Sequence, residues 1–359
     1  MNELSAPLPL KCGATLKNRF VLAPLTNTQS HDDGTLSDDE FRWLTMRAQG
    51  GFALTMTCAS HVQAQGRGFP GQLGIFSDDH LPGLTRLAAA IKAAGSLAVT
   101  QLHHAGMRSP PKLIGGAPLC PSDDAETGAR AMTHEEVLQA REDFIEAAAR
   151  AQHAGFDGVE IHGAHGYLLC QFLSPEINRR TDDYGGSLDN RARILFDIVA
   201  GIRARCAPDF IVGVRLSPER FGLRLAEIRE VASRLLREGA IDFLDLSLWD
   251  IFKEPEEEAF RGRSLLSYFT ELDRGAVRVG AAGKIMGGGD ASRCLDAGTD
   301  FVVIGRAAVL HHDFPMKVQA DPAFRAIQIP VSEDYLRNEG LGPAMIRYMR
   351  RWEGFVTDD

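Results

Sequence analysis

The chain has 359 residues, 44% hydrophobic and 24% charged, a balance that suits one large buried core and excludes a disordered chain. Its formal net charge of −9 repels a phosphate backbone, so nucleic acid is not an expected partner. Six cysteines without a C-x-x-C pair argue against zinc, an iron–sulfur cluster and a secreted disulfide framework. The first ten residues lack the basic region of a signal peptide, and no apolar run reaches the ~18 residues of a membrane span, so the cytoplasm is the expected location.

Short runs rich in Val, Ile, Leu and Phe alternate with longer segments of helical period, the pattern of a parallel sheet with crossover helices. Before the first run, Leu8, Leu10 and Leu16 surround Cys12-Gly13 and predict a hairpin that plugs a barrel bottom. Strands are then predicted over 20–23, 52–56, 97–102, 158–161, 211–216, 243–246, 277–280 and 301–304. Helices are predicted over 38–48, 81–94, 134–153, 189–205, 226–238, 265–274 and 291–297. Gly95, Gly155, Gly239 and Gly298 follow four of these helices, where a left-handed cap needs no Cβ.

Eight strands suggest a single α/β domain over 1–359, a (β/α)8 TIM barrel spanning about 18–320 with a tail over 321–359. A doubly wound open sheet shows the same alternation, so the motifs must decide. Two loops, over 103–132 and 162–187, are too long for mere connections. Both leave the C-terminal ends of strands, where barrel enzymes place their chemistry.

The fourth strand ends in His162-Gly163-Ala164-His165-Gly166-Tyr167, two imidazoles and a phenol within six residues. A chain that curls here can aim His162 and His165 at one point, with the Tyr167 hydroxyl nearby, to hold an oxygen on which charge develops. Loop residues satisfying local backbone groups are the ordinary alternative. Metal ligation is a third, but H-x-x-H lacks the i, i+4 spacing of helical zinc pairs and no metal is expected. The last two strands end in Gly280-Ala281-Ala282-Gly283-Lys284 and Ile304-Gly305-Arg306. Glycine admits an anion close to backbone N–H groups and arginine can fork onto it, so a phosphorylated ligand is implied at this corner of a barrel.

Further motifs stand in order: Asn18-Arg19-Phe20, Ala23-Pro24-Leu25-Thr26, Arg47-Ala48-Gln49-Gly50-Gly51, Gln101-Leu102-His103-His104-Ala105-Gly106, Gln171-Phe172-Leu173-Ser174-Pro175 and Asn178-Arg179-Arg180-Thr181-Asp182-Asp183-Tyr184-Gly185-Gly186-Ser187. This ordered set resembles the Old Yellow Enzyme family of FMN-dependent NAD(P)H oxidoreductases over roughly residues 8–320.

The resemblance implies non-covalent FMN, with NADPH or NADH as hydride donor and an electrophilic alkene as small-molecule acceptor. It implies that Ala23, Pro24, Leu25, Thr26, Ala59 and Gln101 line the ring, with His162 adjoining, and that Arg215 meets its N1–C2 edge. Gly283, Lys284, Gly305 and Arg306 would hold the phosphate, and His162, His165 and Tyr167 would act on the acceptor. Apart from the resemblance, Thr26 also reads as a strand-end cap, Gln101 as an interior amide, Arg215 as one side of a buried salt bridge and Lys284 as a solvent-facing residue. Thr28 stands where many relatives carry tyrosine, and Thr26 where some carry cysteine.

Trp249 and Phe76 are expected either to wall the pocket or to serve as packing. The tail from Ser332, with Tyr348, Arg350, Arg351 and Trp352, is expected to dock on its own barrel or on a second subunit, so a homo-oligomer stays open. Two alternatives remain: a flavin-dependent amine demethylase or dehydrogenase on the same barrel, and a non-redox phosphate-binding lyase or isomerase using acids such as Glu160 and Asp245.

Overall fold

A computed structural model describes residues 3–357. Eight parallel strands close into a barrel in sequence order: β1 (Phe20–Leu22), β2 (Leu54–His61), β3 (Leu97–His103), β4 (Gly158–Gly163), β5 (Ile211–Leu216), β6 (Phe243–Ser247), β7 (Arg278–Ala282) and β8 (Phe301–Ile304). Val302 pairs with Phe20 and completes the ring. The expected barrel is therefore the observed fold, with helices wrapped outside it, and the open sheet that the same alternation allowed is not. Their starts follow from capping: Thr133 and Glu136 satisfy each other's backbone N–H at 3.2 and 2.9 Å, which fixes the helix His134–His153.

The barrel floor is apolar. The predicted hairpin forms from Leu8–Pro9 and Thr15–Leu16, and buries Leu8, Leu10 and Leu16 against Val21, Leu54, Met56, Val99, Ile211, Phe243, Phe301 and Val303. Phe243 and Phe301 meet edge to face with centroids 5.8 Å apart. Gly213 and Gly280 leave room for them, since a Cβ on either would stand 2.1 Å from a ring carbon. Side chains one layer up can then be polar without wetting the core.

Three expectations shift. The helix over 265–274 shrinks to Ser267–Thr270, because Ser264 and Ser267 bond each other's backbone (Ser267 Oγ to Ser264 O, 2.7 Å) and close a turn that competes with the helical ladder. Strand β2 runs on to His61 past a bulge between Met56 and Ala59, where the Thr57 hydroxyl bonds Thr100 at 2.9 Å. The loop after β4 contains a buried helix, Leu168–Leu173, that the alternating pattern does not show.

The tail docks on its own barrel. Its helices Glu333–Asn338 and Pro343–Met349 are tied down through Arg47, which is fully buried. The Arg47 guanidinium donates to the carbonyls of Ala308 (3.1 and 3.0 Å), Trp43 (3.0 Å) and Glu339 (2.8 Å), and lies 3.1 Å over the Trp43 ring. One side chain thus joins the first helix, the segment after β8 and the tail. Arg47→Met keeps the length but removes the side-chain donor from the Ala308 and Glu339 carbonyls, and is expected to lower the unfolding free energy by about 2–4 kcal/mol. Urea denaturation reads this directly, and an unchanged midpoint would remove Arg47 from that role.

Candidate active site

A cavity of about 410 Å³ opens at the C-terminal ends of the strands, within the range of small-ligand sites. It gathers every residue that the sequence assigned to the ring, the phosphate and the acceptor. Ala23, Pro24, Leu25 and Thr26 leave β1, and Ala59 and Gln101 stand side by side on β2 and β3. His162 ends β4, His165 and Tyr167 follow it, and Arg215 lies on β5; Gly283 and Lys284 leave β7, Gly305 and Arg306 leave β8.

The two histidines are bonded to each other. His162 Nδ1 accepts from the Ala164 N–H at 3.2 Å, which puts its proton on Nε2. That Nε2 faces His165 Nδ1 at 3.2 Å, so His165 in turn carries its proton on Nε2, 2.7 Å from Ser247 Oγ. The N–H groups therefore run in series from His162 through His165 to Ser247, rather than converging on one point as the loop curl suggested. Burial keeps both rings neutral: it lowers His162 well below the ordinary histidine range and His165 to about 3, with Arg215 adding repulsion. Tyr167 stands edge-on to His162 and to His103, at centroid distances of 5.1 and 4.4 Å. Burial raises its phenol above the ordinary value, so it holds its proton at neutral pH.

Below them lies a charged layer. The Arg215 Nε is 3.2 Å from Asp245 Oδ2, and Gln101 donates to Glu160 Oε1 at 2.7 Å. All four residues are buried. Arg215 Nε, Glu160 Oε2 and both Asp245 oxygens have no hydrogen-bond partner, so the Arg215–Asp245 contact is an ion pair without hydrogen-bond alignment. Burial and then the Asp245 charge push the Glu160 carboxyl up; burial also pushes Asp245 up, against the pull of Arg215. One guanidinium and two carboxyls balance when the pair keeps one proton. The acids that a lyase or isomerase would need are thus sealed beneath the cavity.

Other outcomes are particular to single side chains. Lys284 turns out to Asp250 at 3.0 Å and is 60% exposed, leaving its backbone on the cavity. Trp249 lines the cavity, whereas Phe76 packs between His61 and His80 at centroid distances of 5.0 and 4.6 Å, away from it. The sequence reading missed Ser247, Arg108 and the tail residues Met345, Met349 and Phe355, and named Tyr348 and Trp352 only as part of a docking tail; all lie on the cavity wall.

Residues 3–323 match the NADH:flavin oxidoreductase / NADH oxidase family. The chain belongs to this family, that of the Old Yellow Enzymes. It is 36% identical over 327 residues to the probable NADH-dependent flavin oxidoreductase YqiG of Bacillus subtilis, covering 88% of this chain and 87% of that one. It is 35% identical to NADH:fumarate oxidoreductase of Klebsiella pneumoniae over 88% of this chain, which spans only 36% of that relative. The solved old yellow enzyme homologue from Zymomonas mobilis has a TM-score of 0.80 at 26% identity, covering 93% of this chain and 96% of the other.

FMN is the cofactor of this family and NAD(P)H its donor, so the chain is an oxidoreductase. The residues present suit such a group. No carboxylate lines the cavity, the buried Arg215 borders it from the strand layer beneath, and the Arg306 guanidinium has no ion pair among the described residues, only the Trp352 ring at 5.4 Å.

The buried acids make the stability of the fold depend on pH. Glu160 has an ordinary value near about 4.3 in an unfolded chain and a higher one when folded. The folded state therefore holds the extra proton, and stability falls as pH rises from the ordinary carboxylate range through neutrality. Chemical denaturation of the wild type at pH 5 and pH 8 should show this loss, and Glu160→Gln should reduce it. A variant with the same pH slope would assign the slope to other groups.

Proposed function

We propose that this oxidoreductase is an ene-reductase working by a ping-pong cycle, in which NAD(P)H and then an α,β-unsaturated carbonyl or nitroalkene use one site. The observation that carries this reading is the neutral imidazole pair and protonated phenol on one flank of a cavity otherwise free of acids. The relative named for fumarate, itself an electron-poor alkene, is consistent with it.

In this reading Ala23, Pro24, Leu25, Thr26 and Ala59 hold the flavin ring, Gln101 its pyrimidine edge and Arg215 its N1–C2 edge. Backbone N–H groups at Gly283, Lys284 and Gly305, with the Arg306 guanidinium, hold the phosphate. When bound, FMN would supply the redox chemistry, the hydride relay between NAD(P)H and the β-carbon of the acceptor. His162 and His165 bind the acceptor oxygen, which takes the Nε2–H groups now shared with His165 Nδ1 and Ser247 Oγ. Because both rings are neutral, they donate without protonating that oxygen, and their bonds strengthen as it becomes negative. Tyr167 delivers its proton to the α-carbon.

The purified protein should take up FMN and lose its visible flavin absorbance when NAD(P)H is added without oxygen. Stopped-flow absorbance then separates the two halves of the cycle. Tyr167→Phe should be reduced normally and reoxidised slowly by enones, and His165→Ala should slow reoxidation by about 10²–10³-fold with a smaller effect on FMN affinity. Equal damage to both halves would overturn these roles.

A further inference from the structure

Four cationic side chains border the cavity, with no carboxylate among its lining residues. Arg215 is paired with Asp245 and Lys284 with Asp250, and Arg306 stands beside Gly305 at the proposed phosphate corner. Arg108 is left. It has no ion pair among the described residues, and its guanidinium carbon lies 5.0 Å from the Tyr167 ring centroid while its Nη1 donates to the His165 carbonyl. The cation therefore sits on the flank where the reacting oxygen and the proton donor meet.

Its placement is built into the turn. Gly106 has φ +62°, and a Cβ there would stand 2.2 Å from Gln171 Oε1. The buried Gln171 amide accepts from the Met107 N–H at 3.1 Å and donates to the carbonyls of Ala105 and Gly166 at 3.3 and 2.7 Å. The turn carrying Arg108 is thus clamped to the loop carrying His165 and Tyr167. The charge is felt there: Arg108 pulls down the phenol of Tyr167, against the larger effect of burial, and the imidazole of His165.

We propose that Arg108 anchors the acceptor by a carboxylate, so that the preferred acceptors are activated alkenes with a ketone at one end and a carboxylate at the other, the 4-oxo-2-enoate class. This rests on the ene-reductase reading of His162, His165 and Tyr167. The ketone oxygen lies on the histidines, hydride enters the carbon bearing the carboxylate, and the proton from Tyr167 enters the carbon beside the ketone; NAD(P)H is the two-electron reductant and the product is the saturated 4-oxo acid. A guanidinium forks onto a carboxylate with two parallel N–H bonds, and no resident acid competes for it. The donor's phosphates are the other anion that could reach an arginine. The ribose separates them from the nicotinamide ring, whereas Arg108 stands against the proton donor itself, which favours the acceptor.

The test uses FMN-loaded wild type, Arg108→Gln and Arg108→Lys. Titration with 4-oxopentanoate and its methyl ester, read as perturbation of flavin absorbance, measures binding without turnover. The acid should bind the wild type at least about tenfold more tightly than the ester, Arg108→Gln should abolish that preference, and Arg108→Lys should keep part of it. In the oxidative half-reaction, kcat/KM for 4-oxo-2-pentenoate relative to its methyl ester should fall by about 10–100-fold in Arg108→Gln. Equal acid and ester binding by the wild type, an acid preference that survives Arg108→Gln, or a loss confined to reduction by NADPH and NADH would each overturn the proposal. If the wild type binds the 4-oxo acid through Arg108 but reduces neither enone, the anchor stands and the ene-reductase reading fails.

Discussion

A guanidinium in the middle of a closed barrel constrains everything above it. Arg215 lies among strands whose lower halves are filled by Phe243, Phe301 and the N-terminal leucines, so neither water nor surface acid can neutralise it. The compensation comes from its neighbours in the ring: Asp245 on β6, Glu160 on β4 and, through Glu160, Gln101 on β3. Two carboxylates would overcompensate, which is why the pair favours keeping one proton. The same positive charge, facing upward, helps keep His162 and His165 neutral. A charged layer beneath the cavity and an uncharged donor pair above it are thus two consequences of one buried arginine.

A further part of the cavity wall depends on another buried arginine. Arg47 holds the tail by the Glu339 carbonyl, and a second tie runs from the Gly342 N–H to Gln29 at 2.7 Å. Beyond these ties the tail brings Met345, Tyr348, Met349, Trp352 and Phe355 to the cavity. Thr28 takes part as well: its hydroxyl reaches the Ala344 carbonyl at 3.3 Å, so the residue that departs from the family pattern touches the tail. Thioether and aromatic groups narrow the opening without adding charge, leaving the arginines to set its potential.

The barrel was legible because its eight strands announce themselves by short apolar runs and most of the helices between them by period and caps. The histidine–tyrosine cluster was legible because three proton-bearing side chains crowd six positions. Ser247 was not: it acts on His165 across 82 residues of chain, and only the barrel brings β6 to the loop after β4. Arg108 was hidden for a similar reason, since its place is set by Gln171 on a helix that the alternating pattern missed. The direction of the imidazole N–H groups was also beyond the sequence, because the Ala164 backbone decides which nitrogen of His162 accepts.

That direction has a consequence for how the proposed chemistry is driven. With His162 donating to His165 and His165 to Ser247, no imidazole proton waits unused for a ligand. A neutral carbonyl oxygen that enters must displace one good hydrogen bond to gain another, and the exchange is nearly balanced. An oxygen that has become negative gains more, since charge-assisted bonds are roughly twice as strong as neutral ones. The donors therefore favour the charged state over the ground state of the acceptor, which is the difference that accelerates a reaction. Binding strength for the resting acceptor must then come from elsewhere in the cavity, and Arg108 is the cation in place to supply it.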